Sequence, residues 1–298
     1  MNRGKFYSNR TGYFMLVPAC MLFLLINTIP FFYGLVLSFT DKNYYKPTGR
    51  GFIGLANYIK LLRGANDFYR ILVFTIIYTV GTVLISYAVG MLYAWLLNRD
   101  IRLRNLFRVF ALLPWLVPSA VMAINWQWLL NDQFGFFNGV LMNLGLISKP
   151  VPFIANPQLA RLTVMIVSIW RTYPFMMVML LGGMQSIGKE QYEPADIDGA
   201  NGWQKFYYIT LPLLRPVSLV AITLQFIWTF NAFDNIFLLT RGGPVNATYV
   251  LSIETYNAAF YRGNIGYASA VALTSAVLII IVYLVYRIMK KFRKHPVY

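Results

Sequence analysis

Six long apolar stretches constrain this chain of 298 residues more than any other feature of its sequence. A helix that crosses a bilayer needs about 20 mainly apolar residues, because the helical rise is ~1.5 Å per residue and the hydrocarbon layer is ~30 Å thick. Unpaired backbone groups are costly in lipid, and the stretches lack the alternation of barrel strands, so each is predicted to be helical. The sequence therefore predicts an all-α, polytopic membrane protein with six transmembrane helices, near residues 12–39, 68–98, 107–130, 159–184, 216–240 and 264–287.

Composition excludes other classes of protein. With 58% hydrophobic and only 12% charged residues, the chain has too little charge for a soluble globule of its size. The net charge of +16 is carried by short basic blocks beside apolar runs, which disfavours a nucleic-acid partner. The single cysteine, Cys20, and single histidine, His295, predict neither a disulfide framework nor a metal site. Cys20 also allows a lipoprotein processing site, but the apolar run continues past it to Phe39, which favours a plain first span.

The distribution of Lys and Arg predicts the orientation of the chain. If the amino terminus is cytoplasmic, fifteen of the 26 basic residues lie in or beside inner segments, and ten lie in or beside outer ones. Basic residues accumulate on the cytoplasmic side of membrane proteins. Both termini are therefore expected in the cytoplasm.

A polar run between the fourth and fifth spans, residues 193–216, reads EPADIDGANGWQKFYYITLPLLRP. The carboxylate of Glu193 suits the positive end of a helix dipole, and Pro194 loses no hydrogen bond in a first turn. Gly199 permits a sharp reversal, and a second helix is predicted over 203–211 before prolines bend the chain back. This pattern by itself equally fits an ordinary amphipathic connector.

Polar residues also interrupt the predicted fifth span: Gln225, Trp228, Asn231, Asp234 and Asn235. On a continuous helix, Trp228, Asn231 and Asn235 would lie within about 60° of arc. A carboxylate at membrane depth costs on the order of 3 kcal/mol, so Asp234 should face protein or water. Amides beside an indole suit a sugar, whose hydroxyls need hydrogen-bond partners. The alternative is a helix-packing network without a substrate.

The fourth span contains Arg171 and Tyr173 next to Pro174, a combination that indicates a local helix break or a water-filled cavity. Arg171 is predicted to pair with Asp234 in preference to touching a substrate, because an unpartnered charge is expensive there. Small residues recurring every four positions in the second span, Ser86, Gly90 and Ala94, indicate close helix contacts.

The loop carries a resemblance to a known family. It resembles the cytoplasmic EAA loop of binding-protein-dependent ABC importers, and it departs from that motif where Pro194 replaces an alanine. Residues 228–244 and 265–273 are similar to the carbohydrate-uptake branch of the family, of maltose, glycerol-phosphate and multiple-sugar type. The residues that match the motif are Glu193, Ala195, Gly199, Ile209, Leu211 and Pro212.

This resemblance implies a type I importer permease bundle. Residues 1–67 would hold the cytoplasmic tail, first span and outer loop, and 68–298 a core permease domain of five helices with a coupling loop at about 185–215. The loop would seat on an ATPase subunit through Glu193, Ala195, Asp198, Gly199, Ala200, Ile209, Leu211 and Pro212. The substrate pathway would use Gln225, Trp228, Asn231, Asp234, Asn235, Arg171 and Tyr173.

The same resemblance implies the partners and the location. A prokaryotic cytoplasmic (inner) membrane would hold this chain beside a second homologous permease subunit and membrane lipid. Two ATP-binding subunits, an extracytoplasmic solute-binding protein and a carbohydrate substrate complete the assembly. The chain would catalyse no bond chemistry and bind no cofactor, since ATP and magnesium would belong to the ATPase subunits.

Other classes of function remain as alternatives. An ion-coupled secondary transporter could use Asp234 and Arg171 as a relay, although the inverted repeats expected of many such proteins are not evident. A membrane transferase could hold magnesium with Asp196 and Asp198. Residues 183–189 imitate a phosphate-binding loop, but an acid follows where that loop needs a hydroxyl, and a membrane helix precedes it.

Overall fold

The computed structural model describes residues 8–46 and 51–292. Within these ranges the regular secondary structure is helical. β-pairing is limited there to two isolated bridges, Thr40 with Phe52 and Asn43 with Asn264. The predicted all-α class is confirmed. His295 and several basic residues used to predict the orientation lie outside the described residues.

The α-helices of the described ranges are joined by connections that run from single residues to long loops. One-turn π-helical segments connect α1 to α2 and α10 to α11 and follow α14. The helices are α1 Ser8–Phe23, α2 Ile29–Ser38, α3 Ala56–Leu62, α4 Phe68–Leu97, α5 Arg104–Leu116, α6 Ser119–Leu129, α7 Phe136–Asn143, α8 Pro157–Gln185, α9 Glu193–Ile197, α10 Gly202–Lys205, α11 Leu211–Leu213, α12 Arg215–Phe230, α13 Asp234–Thr240, α14 Leu251–Tyr256 and α15 Ile265–Phe292.

Four helical segments are long and apolar enough to cross a membrane, and two bent helix pairs raise the number to as many as six. The predicted count of six spans agrees with this when each bent pair is one span. The prediction of a continuous third helix is wrong, because α5 and α6 meet at 96°. Pro118 causes this bend: the preceding Val117 adopts a ψ of 127°, in the extended region that a following proline imposes.

The chain divides into two compact units, residues 1–68 with 254–298 and residues 69–253. In the first unit, α2 packs on α15. The buried Asn57 amide donates to the carbonyls of Ser38 (2.9 Å) and Thr40 (2.8 Å), which fixes the chain where it leaves α2. The Glu254 carboxylate is buried against Arg262, with Oε1 and Nη2 2.5 Å apart. Burial raises the pKa of Glu254, and the Arg262 guanidinium opposes that shift.

In the second unit, α4 and α8 pack without space for larger side chains. A Cβ on Gly90 would lie 2.5 Å from the Cβ of Met176. One turn earlier, the hydroxyls of Ser86 and Thr172 are 2.9 Å apart, and Ala94 is fully buried one turn later. The predicted close contact of the small-residue stripe is therefore made within this chain, to α8.

Candidate coupling loop and translocation cavity

The loop between α8 and α12 is a short helix, a reversal and a second helix. Glu193 begins α9, with Pro194 in its first turn, as the sequence predicts. Gly199 reverses the chain at a φ of +72°, a left-handed conformation that glycine adopts without steric cost. The backbone N–H of Ala200 then donates to the Ala195 carbonyl at 2.8 Å, which closes the turn.

The second helix of the loop begins at Gly202, one residue before the predicted start. Asn201 caps it: Oδ1 accepts from the backbone N–H groups of Trp203 (3.1 Å) and Gln204 (2.9 Å). The Gln204 side chain in turn accepts from the Asn201 N–H at 2.8 Å, so both partners of a capping box are satisfied. Each such cap is worth about 1 kcal/mol, and it fixes the point at which this helix starts.

Two side-chain contacts tie the two halves of the loop together. Lys205 forms an ion pair with Asp196, and the hydroxyls of Tyr192 and Thr210 are 3.0 Å apart. The loop is therefore internally braced. The ion pair also argues against the transferase interpretation, because the Lys205 ammonium is paired with Asp196, one of the two acids that would hold magnesium. Among the described residues, no group of three or more His, Cys, Asp or Glu side chains is placed to hold a metal.

The loop also exposes apolar side chains, although its sequence is polar. Ile197, at the end of α9, is 87% exposed, and Tyr208 on the second helix is 73% exposed. Sequence reasoning missed both residues. The detectable signal for Ile197 was an isoleucine between two aspartates beside the turn glycine. Leu211, by contrast, packs against the buried core, and Ile209 is half-buried.

A cavity of about 400 Å³ lies within the second unit. It brings together six of the seven residues predicted for a substrate pathway. The seventh, Tyr173, is not in the lining; its ring stacks on Tyr93 with centroids 5.1 Å apart. The cavity is lined by Tyr78, Thr82, Trp115, Ser119, Ser168, Arg171, Thr172, Phe175, Gln225, Trp228, Thr229, Asn231, Ala232, Phe233, Asp234 and Asn235.

The predicted continuous fifth helix is wrong, and so is the arc calculated from it. α12 ends before Asn231, and α13 starts at Asp234, with a non-helical link between them. Asn231 caps the carboxyl-terminal end of α12, since its side-chain Nδ2 donates to the Ile227 carbonyl at 2.9 Å. The Ala232 carbonyl accepts from the Ser252 hydroxyl at 2.6 Å. The polar residues reach the cavity because the helix breaks there.

The predicted ion pair between Arg171 and Asp234 is also wrong. The Arg171 Nη1 donates to the Val117 carbonyl at 3.2 Å, the carbonyl at the bend between α5 and α6. Asp234 joins none of the ion pairs formed by the described residues. An open backbone carbonyl at the bend supplies the arginine with a partner that sequence reasoning could not anticipate.

Aromatic rings and amides form the walls of the cavity. The rings of Phe175 and Trp228 meet edge to face with centroids 4.9 Å apart, and Trp115 lies 6.2 Å from Phe175. Gln225 is buried and donates to the Thr229 hydroxyl at 3.0 Å. Such a site offers flat apolar faces together with hydrogen-bonding groups, which suit a polar ligand.

Helices long and apolar enough to span a membrane, a polar cavity among them and an internally braced loop are the features of a membrane permease. Residues 86–295 match the profile of the family described as binding-protein-dependent transport system inner membrane component, and the chain belongs to this family. The family resemblance drawn from the loop is confirmed.

Individual relatives agree with this assignment. The trehalose/maltose transport system permease protein MalF of Thermococcus litoralis is 33% identical over 291 residues, 97% of each chain. The probable ABC transporter permease protein y4oQ of Sinorhizobium fredii is 37% identical over 257 residues, 86% of this chain and 82% of that one. A solved bacterial ABC transporter that imports the acidic polysaccharide alginate contains a chain with the same fold, at a TM-score of 0.83, 24% identity and coverage of 95% of this chain and 96% of that one.

The chain is therefore a membrane-embedded permease component of an ABC importer. None of these comparisons supports the ion-coupled alternative.

Proposed function

We propose that this chain forms half of the translocation pathway of an ATP-driven carbohydrate importer. A second, homologous permease subunit supplies the other half, and an extracytoplasmic solute-binding protein delivers the substrate. Two separate ATP-binding subunits bind ATP and magnesium, and this chain binds no cofactor. Both termini face the cytoplasm.

The observation that carries this proposal is the braced loop with an apolar side chain at its turn. An exposed Ile197 beside Gly199 gives the loop an apolar tip, and an apolar side chain that fills a pocket of a partner is a common anchor of protein interfaces. Glu193 and Asp198 lie near this tip in the chain, both are exposed, and their charges favour a basic rim on the ATPase. Ala195 and Ala200 close the turn, while Ile209, Leu211 and Pro212 join the loop to the bundle.

The chemistry of the cavity supports a carbohydrate substrate. Gln225, Asn231 and Asn235 supply amides, and Trp228 supplies an indole face. A cavity of about 400 Å³ lies within the range of small-molecule sites. The names of the relatives point the same way: one is a trehalose/maltose permease, and a solved neighbour imports alginate. Arg171 and Asp234 complete the polar lining, and Tyr173, which stacks on Tyr93, adjoins the lining residue Thr172 in the chain.

The docking role of the loop is tested by Ile197→Asp. We expect the variant to insert in the membrane normally but to lose about 30-fold or more of its affinity for the cognate ATPase subunit, since burying a carboxylate in place of an interface anchor costs ~2 kcal/mol or more. Copurification from detergent and binding-protein-stimulated ATP hydrolysis measure this loss.

Two matched variants control the experiment. Ile197→Val keeps an apolar tip and should assemble normally, and Leu146→Asp places the same charge on an exposed leucine of the loop between α7 and α8. If Ile197→Asp assembles and couples like the parent protein, the loop does not dock on the ATPase and the proposal fails.

A further inference from the structure

We propose that Trp95 and Arg99, at the end of α4, are positioning residues that fasten the coupling loop to α4. Through them a displacement of the loop would move the wall of the cavity. This inference rests on the proposed coupling function, and it adds the place at which movement enters the membrane bundle.

Four side chains form the contact, and we call them the Trp95 joint: Trp95, Arg99, Trp203 and Phe206. The guanidinium carbon of Arg99 lies 3.9 Å from the Trp95 ring centroid, within the range of a cation–π contact. Trp95 meets Trp203 edge to face at 6.0 Å and Phe206 at 5.6 Å. Trp203 and Phe206 stack on each other at 5.7 Å, so the contacts form a closed ring.

The loop side of the joint is stiff. Trp203 and Phe206 belong to the second helix of the loop, whose start is fixed by the capping box. The ion pair of Lys205 with Asp196 ties that helix to α9. Because of these ties, a force on the tip of the loop would move both of its helices and the joint with them.

The α4 side of the joint is stiff as well. Trp95 packs against the buried core that includes Ala94 and Leu214. α4 is one helix of 30 residues, and Tyr78 and Thr82 on it line the cavity. Trp95 follows Tyr78 by 17 positions, which corresponds to about 25 Å of helix at ~1.5 Å per residue.

The contact of α4 with α8 favours transmission over slippage. At Gly90 the two helices approach so closely that a Cβ would lie 2.8 Å from the Met177 backbone nitrogen. Closely packed interfaces of this kind hold discrete arrangements and do not deform continuously. Movement at the joint is therefore expected to carry α4 and its cavity-lining residues together.

A purely structural role for the joint would predict loss of assembly or stability, without loss of nucleotide-driven movement in the complexes that do assemble. The two roles are separated in the complete reconstituted complex. A cysteine at Asn235 reports on the cavity, with Cys20 replaced by serine. Its rate of reaction with a water-soluble maleimide is compared without nucleotide and with ATP and vanadate.

With the joint intact, nucleotide should change the labelling rate. In Trp95→Ala we expect that change to fall about fivefold, as loss of two aromatic contacts of ~0.5 kcal/mol each implies. Trp95→Phe should restore most of it, and Arg99→Gln, at an exposed position, should give a smaller loss. Trp203→Ala combined with Trp95→Ala should be no worse than Trp95→Ala alone, because Trp95→Ala already removes the contact with Trp203. Trp128→Ala, a tryptophan outside the joint, is the matched control.

An unchanged nucleotide response in assembled Trp95→Ala complexes would overturn the inference. So would strictly additive effects of Trp95→Ala and Trp203→Ala. Gly199→Trp distinguishes the two levels of the argument: if it abolishes the response and Trp95→Ala does not, only the joint is refuted. If neither variant alters the response, the coupling function of the loop fails as well.

Discussion

At the scale of single residues, the contact of α4 with α8 leaves no space for a side chain at Gly90. Gly90 lies where any Cβ would meet both a side chain and backbone of α8, at 2.5 and 2.8 Å. Gly182, in contrast, sits within α8 with open space around the position of a Cβ. The same substitution should therefore have opposite effects at these two glycines.

We expect Gly90→Ala to destabilise the folded chain by about 1–3 kcal/mol, because overpacking forces two helix backbones apart. Gly182→Ala should be neutral or stabilise it by up to ~1 kcal/mol through helix propensity. Thermal unfolding of the detergent-solubilised variants, followed by a thiol-reactive or intrinsic fluorescence signal, compares them directly. Equal Tm values for the two variants would contradict the packing derived for Gly90.

At the scale of secondary-structure elements, the two helix breaks matter most. At the bend between α5 and α6 the Val117 carbonyl accepts a hydrogen bond from the Arg171 guanidinium. The break between α12 and α13 places Asn231 in the lining of the same cavity. Backbone groups freed at membrane depth need a protein partner or water, so interruptions of this kind are tolerated only where the backbone is buried in protein or lines a water-filled cavity.

The break between α12 and α13 is expected to be reached by water. In a background with Cys20 replaced by serine, Asn231→Cys should react with a water-soluble maleimide in at least one access state of the transport cycle. Ile236→Cys, two residues beyond the start of α13 and fully buried, should stay unreacted in the folded protein. Protection of Asn231→Cys in every state would remove this break from the pathway.

At the scale of the whole molecule, orientation follows from charge. Fifteen of the 26 basic residues lie in or beside the segments predicted to be cytoplasmic, which are both terminal segments and two loops, one of them the coupling loop. This asymmetry predicts that the loop lies in the cytoplasm, on the side where an ATPase subunit would bind.

A reporter fusion tests the orientation. Green fluorescent protein folds in the bacterial cytoplasm but not after export through the general secretory route, so a fusion to the carboxyl terminus should fluoresce. A fusion truncated after Gly145, between α7 and α8, should remain dark while being equally abundant on an immunoblot. The reverse pattern would show that the chain is inserted the other way round.

Much of this architecture was accessible without coordinates, because it depends on local properties. The apolar runs fixed the number of spans, and the glycine and proline positions predicted the loop with its turn at Gly199. Six cavity residues were also found in advance, since buried amides and charges in an apolar helix have few uses besides packing or binding. Their arrangement was predicted wrongly, because a helical wheel assumes an unbroken helix.

The amino-acid sequence by itself determined that this chain is a helical membrane permease of the ABC importer family, because hydrophobic length, charge asymmetry and a short motif are all written along the chain. Only the tertiary structure decided where the helices break, that Arg171 binds a backbone carbonyl instead of Asp234, and that Trp95 meets the coupling loop. Those outcomes depend on which freed backbone groups and aromatic faces come together in space, and residues distant in the sequence supply the partners.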